Sequence, residues 1–204
     1  MNYKEIKTFA SPLRYSNYSE FLYLDQHCDQ YIRRAKEEQG SKFGVVNHSI
    51  NLTADNTFKP LTDLVGKASL DFLYDQGVDT SKYTTMFTEM WVQQFPEQGG
   101  GYHETHVHYN QHISGFYFLR CNKNTSYPVF YDPRPGALMT KLEQRDKNKI
   151  SDIVPHLVYE PSPGDLVLFN SYMPHSFVMD AGKNPFRFIH FNLQAFPNQV
   201  VNNG

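Results

Sequence analysis

Apolar positions recur at helical spacing in two stretches of the N-terminal part and then give way to short alternating runs. Between Ser19 and Glu38 they fall at Phe21, Leu24, Cys28, Tyr31, Ile32 and Ala35, one face of a helix. Asn17 or Ser19 is available as its cap and Gly40 as its stop. A second helical period runs from about Pro60 to Gln76 through Leu61, Leu64, Val65, Ala68, Phe72 and Leu73. Pro60 suits its first turn and Gly77 its end. Both segments read as helices laid on the outside of a sheet.

From Lys82 onward β-branched and aromatic residues alternate between Gly, Pro and Asn clusters, which predicts strands at about 84–95, 113–120, 127–131, 155–160, 165–170, 175–179 and 186–195. Six or seven short strands after two helices predict an α+β chain, with a helical part over 1–80 and a β-sandwich or barrel over 82–196. A length of 204 residues suits one domain, 1–204. Residues 132–153 break the rhythm with Arg134, Lys141, Glu143, Arg145, Asp146 and Lys147. This polar block is too long for a hairpin loop and reads either as an insertion over the barrel mouth or as a solvated loop without a role.

Charge narrows the partners. A net charge of −2 supplies no basic field for phosphate backbones or anionic lipid, so no nucleic acid is expected. Met1 to Ser11 lacks the apolar run of a signal peptide, and no stretch approaches the ~20 apolar residues of a membrane helix. With two cysteines, Cys28 and Cys121, the expectation is a soluble cytoplasmic protein with free thiols. Val200–Gly204 reads as a frayed tail.

The chemistry is concentrated in histidine. Four of the nine histidines fall in the run GYHETHVHYNQH. At alternate strand positions His106 and His108 would project to one face and could reach one metal, with His175 in PSPGDLVLFNSYMPHSF as the best third ligand. Three protein ligands on one side of an iron leave three positions for co-substrate and oxygen. The run HETHVH does not make a zinc-protease helix: Val107 stands where the second histidine would be needed, and Gly99–Gly101 and Ser114-Gly115 flank it. His156 and His190 read as structural, the latter because it is out of phase with Arg187; His103 and His112 could sit at the rim.

The segments HVHYNQHISGFYFL, YPVFYDPRP, PSPGDLVLFNSYMPHSF and FRFIHFNLQ, in that order, resemble the 2-oxoglutarate and iron(II)-dependent oxygenase family common in marine bacteria and their phages. The resemblance implies a double-stranded β-helix of jelly-roll, cupin-like form with the helices outside. It also implies iron(II), 2-oxoglutarate and O2, and hydroxylation of a C–H bond with release of succinate and CO2. His175 would close the iron site from a strand facing that of the first ligands. Arg187 would anchor the far carboxylate of 2-oxoglutarate, which a guanidinium grips at two points. Tyr117 could add a hydrogen bond there, and Tyr102, Tyr117 and Tyr131 could line the cavity. One departure stands out, because His108 occupies the place of the usual carboxylate ligand. Either the site is all-histidine, or Asp132 or Glu104 supplies a carboxylate and one histidine steps back. Two further readings stay open: a cupin-like metal oxygenase that does not use 2-oxoglutarate, and a non-catalytic jelly-roll of virion or carbohydrate-binding type. The substrate, small molecule or peptidyl, and the oligomeric state are not legible.

Overall fold

The computed structural model describes residues 4, 9–122, 125–134, 136, 139, 142–182 and 184–198. In chain order the elements are β1 (Leu13–Asn17), α1 (Leu24–Gln39), β2 (Asn47–His48), α2 (Lys59–Asp75), β3 (Tyr83–Gln94), β4 (His103–His106), β5 (Ile113–Arg120), β6 (Pro128–Tyr131), β7 (His156–Val158), β8 (Asp165–Asn170), β9 (His175–Phe177) and β10 (Arg187–Pro197). The strands form a six-stranded sheet, β1-β8-β5-β10-β3-β2, and a four-stranded sheet, β4-β9-β6-β7. Sequential neighbours are mostly not paired, so the chain crosses repeatedly between the sheets.

Period-two alternation divides the large sheet between two cores. On its outer face Met90, Val92, Ile113, Tyr117, Leu119, Leu166, Leu168, Ile189, Phe191 and Leu193 pack against Leu24, Cys28 and Ile32 of α1 and Leu61, Val65, Phe72 and Leu73 of α2. On its inner face Phe116, Phe118, Val167, Phe169 and Phe188 meet Phe130 and Phe177 of the small sheet. The helices therefore lie outside, and aromatic rings fill the space between the sheets. Gly115 is needed where β5 passes β10, because a Cβ there would stand 2.5 Å from the Phe191 ring and from the Val167 carbonyl oxygen.

Local signals explain most element ends. Gly40 closes α1 with φ 88°, and Gly77, at φ 91°, follows α2, whose first turn holds Pro60. Helix α1 starts at Leu24, later than the periodicity suggests, because Ser19–Phe21 winds as a separate 3-10 turn. Strands β1 and β2 carry no alternating apolar pattern, which is why the sequence does not announce them. β1 is a largely exposed strand that pairs with β8.

A polar clasp pins α1 to the sheet. Arg187, the first residue of β10, points outward and donates through Nη1 to Oδ1 of Asp25 (2.9 Å) and Oδ1 of Asp29 (2.8 Å). Its Nε and Nη2 donate to Oε1 of Gln94 (2.9 and 2.6 Å). Arg120 completes the cluster with Nε to both Asp25 oxygens. No helix among the described residues is long and apolar enough to cross a membrane. Within the polar block, 142–153 holds neither helix nor strand. Lys141, Val200–Gly204 and most of Met1–Ser11 lie outside the described residues.

Candidate metal centre

The site is built at the meeting of β4, β9 and the turn after β4. His106, the last residue of β4, is the register partner of His175, the first of β9. The two ligand strands are thus hydrogen-bonded neighbours in the small sheet, not the facing strands that the family resemblance implies. β4 ends before His108, which reaches the site from the following turn; its backbone N–H donates to the Ser171 carbonyl at 3.0 Å. Alternation along one strand is therefore not what unites the two histidines.

The three imidazoles converge. Ring centroids lie 4.4 Å apart for His106–His175 and 5.1 Å apart for both His106–His108 and His108–His175. Each ring offers one nitrogen, and these three atoms all lie within 4.8 Å of one another. Small ring rotations would bring them to the ~2 Å of a metal–imidazole bond. Neither carboxylate alternative joins them. Asp132 is held by Arg134 through Nε (2.9 Å) and Nη2 (2.8 Å), and Glu104 meets His106 only with its main-chain oxygen.

Hydrogen bonds preset two of the ligands. Nδ1 of His106 donates to the Glu104 carbonyl (2.7 Å) and Nδ1 of His175 to the Met173 carbonyl (3.1 Å), which leaves each Nε2 lone pair free for a metal. His108 is set differently. Its Nδ1 lies 3.3 Å from Nδ2 of Asn192, whose amide also donates to Glu89 (2.9 Å) and accepts from Ser114 (2.6 Å). With its oxygen taken by Ser114 and its nitrogen by Glu89, the Asn192 amide presents N–H to Nδ1 of His108, so metal binding at Nε2 would require the ring proton to move to Nδ1 and the amide to turn. Nε2 of His108 is buried without a partner.

Electrostatics favours neutral, ligating imidazoles. Burial, with repulsion from His106 behind it, pushes His103 and His108 down to about 4 and His175 to about 3. At neutral pH their lone pairs need no deprotonation. The donor set and its unpartnered nitrogen fit a divalent metal of the iron or zinc type.

The residues expected to hold 2-oxoglutarate do not fit it. Arg187 and Tyr117 both belong to the outer face of the large sheet, across the β-layer from the imidazoles. The guanidinium is buried in the clasp with Asp25, Asp29 and Gln94, and the Tyr117 hydroxyl donates to the Tyr18 carbonyl at 2.7 Å. Tyr102 is exposed, and Tyr131 shares a 3.0 Å hydrogen bond with Ser176; neither lines the cavity at the imidazoles, and Tyr131 lines instead the larger cavity beyond Phe130. The cavity at the imidazoles measures about 40 Å³.

His190, by contrast, is no bystander. Three positions after Arg187 it falls on the inner face, its ring 4.7 Å from His108 and 4.8 Å from Trp91. Trp91, Gln93, His103 and His190 line the cavity with the three imidazoles, Phe116 and Phe177. The phase difference between His190 and Arg187 was the available signal; it places His190, and not Arg187, on the metal's side.

A family model described as "Putative 2OG-Fe(II) oxygenase" matches residues 89–192. No curated protein matches the sequence. Among solved structures, a Pseudomonas putida prolyl-4-hydroxylase is similar over 89% of this chain and 91% of its own, at 14% identity and a TM-score of 0.58. The non-heme alpha ketoglutarate dependent epimerase SnoN from nogalamycin biosynthesis is similar over 90% and 78%, at 12% identity and a TM-score of 0.61. The viral collagen prolyl hydroxylase of Paramecium Bursaria Chlorella virus-1 covers 90% and 96%, at 10% identity and a TM-score of 0.55. At such identities the likeness is one of fold, and the fold is the double-stranded β-helix.

Proposed function

The chain belongs to the 2OG-Fe(II) oxygenase family and is an enzyme of that class, and we propose that its reaction centre is an iron(II) site held by His106, His108 and His175. Family membership brings iron(II), 2-oxoglutarate and O2 as general requirements. Bound at the three imidazoles, the iron would supply the oxidising chemistry that no side chain possesses.

What the chain itself contributes is position and exclusion. The Glu104 and Met173 carbonyls orient two ligand rings, and the Asn192 amide meets the third. Phe116, Phe130 and Phe169 pack at 5.8, 6.2 and 4.8 Å from the His175 ring, shielding it from water. Since Arg187 and Tyr117 do not reach the site, no contact to 2-oxoglutarate is assigned. A second cavity, of about 440 Å³, lies on the far side of Phe130 and Met173, lined by Leu13, Ile150 and Val154 with Arg134 and Asp132 among its polar residues; it shares no lining residue with the one at the imidazoles. A mainly apolar small molecule or peptide segment would suit it, and nucleic acid would not. Free Cys28 and Cys121 support a reducing, cytoplasmic setting within the same proposal.

The observation that carries this reading is the convergence of three imidazole nitrogens within 4.8 Å. Anaerobic titration should show one iron(II) per chain, and 2-oxoglutarate should then raise a weak visible charge-transfer band. His175→Ala should lose both. Wild-type protein that binds no iron refutes the proposal.

A further inference from the structure

Around the 40 Å³ cavity, buried polar atoms stand without partners. Among the described residues seven buried side-chain nitrogens and oxygens lack a hydrogen bond, and five of them are Nε1 of Trp91, Nε2 of His103, Nε2 of His108, and Nδ1 and Nε2 of His190. All five belong to residues that line this one cavity. Only the last ligand atom, Nε2 of His108, is explained by a metal. An unpaired buried polar group is costly to keep, so the indole N–H of Trp91, Nε2 of His103 and the one N–H of His190, gathered in one place, point to a ligand that meets them.

The chemistry of the wall indicates what that ligand is. An indole N–H can only donate, and each neutral imidazole has one N–H to give. Among the described residues no lysine or arginine lines the cavity. The wall therefore offers hydrogens without charge, and the metal supplies the positive charge. His190 does not join the triad whose ligand atoms lie within 4.8 Å, although it is 3% exposed and packed on His108 and Trp91.

We propose that Trp91, His103 and His190 form a neutral hydrogen-bonding wall that binds a small anion, of carboxylate or azide size, on the metal held by His106, His108 and His175. The proposal rests on the metal reading above. In this chain the wall takes the part expected of a buried cation, whose nearest candidate, Arg187, is committed to α1.

Cobalt(II), whose visible bands report on its ligands, serves as the probe metal, titrated first alone and then with sodium azide or sodium formate. Wild type should take up one cobalt(II) and show a saturable spectral change with either anion. Trp91→Phe keeps the ring and removes the N–H; it should retain cobalt(II) and bind azide about three- to tenfold more weakly. His190→Phe should weaken azide in the same direction. Cobalt(II) uptake with no anion response, or azide affinity in Trp91→Phe within twofold of wild type, overturns the wall. Failure of wild type to take up cobalt(II) sinks the metal site itself, a separate outcome.

Discussion

Replacing Arg187 with methionine separates a structural guanidinium from a co-substrate anchor. The substitution keeps much of the side-chain volume and removes every polar contact of a residue only 2% exposed. Lost are the bonds from Nη1 to Asp25 and Asp29, at 2.9 and 2.8 Å, and the pair to Oε1 of Gln94, at 2.9 and 2.6 Å. Removing one partner of a buried ion pair costs about 3–5 kcal/mol. Here Arg120 still bonds both Asp25 oxygens, and the Asp29 side chain is 45% exposed, so water takes up part of the loss. The buried Gln94 oxygen is left stranded. The lower end, about 3 kcal/mol, follows, which for a chain of this size lowers Tm by roughly 6–12 °C. Thermal denaturation of the metal-free protein measures this, and anaerobic iron(II) with 2-oxoglutarate at low temperature measures the site. The expected result is a large drop in Tm with iron uptake and the charge-transfer band retained. An unchanged Tm with the band abolished would show that the guanidinium reaches the co-substrate, and the reasoning would fail.

Three other outcomes follow from the same geometry. Asn192→Leu removes the side chain that meets Nδ1 of His108 and should weaken iron or zinc binding about 10- to 100-fold in chelator competition; an unchanged affinity would remove Asn192 from the site. Gly115→Ala forces a methyl to within 2.5 Å of Phe191 and of a backbone oxygen, so it should destabilise by about 1–3 kcal/mol in urea titration, and a neutral effect would contradict the packing of β5 on β10. In the metal-free protein, His103 and His108 titrate near 4 and His175 near 3 when folded, against 6.5 unfolded. Between those values the unfolded chain binds more protons, so stability should fall as pH drops from about 7 to 5, and a flat urea midpoint over that range would count against their burial.

Much of this architecture is legible in the chain because two periods are clean. β5 and β8 occur where alternation predicts them, at Ile113–Arg120 and Asp165–Asn170, since both faces of those strands are buried and a slip would exchange cores. β1, with residues LRYSN, is held by pairing with β8 more than by burial, and such strands leave little trace in hydropathy. The three converging imidazoles stand out by histidine density, but the reason they meet does not. His108 arrives through a turn anchored on Ser171, a contact 63 residues distant in the chain that no local pattern encodes. Arg187 shows how a motif misleads when phase is set aside. An arginine at the start of the last strand satisfies the family's pattern, while the parity of β10 sends it to the carboxylates of α1.

β4 is the border strand of the small sheet, registered with β9 only at His103–Phe177 and His106–His175, with an irregularity between those pairs. One of the three candidate ligands therefore rides on an edge element with few backbone pairs, held to the core mainly by His103 on Phe95 and Phe177. Metal should exchange through local opening of this edge, far faster than the molecule unfolds, and occupancy should slow amide deuterium uptake at Glu104–His106 before any other segment.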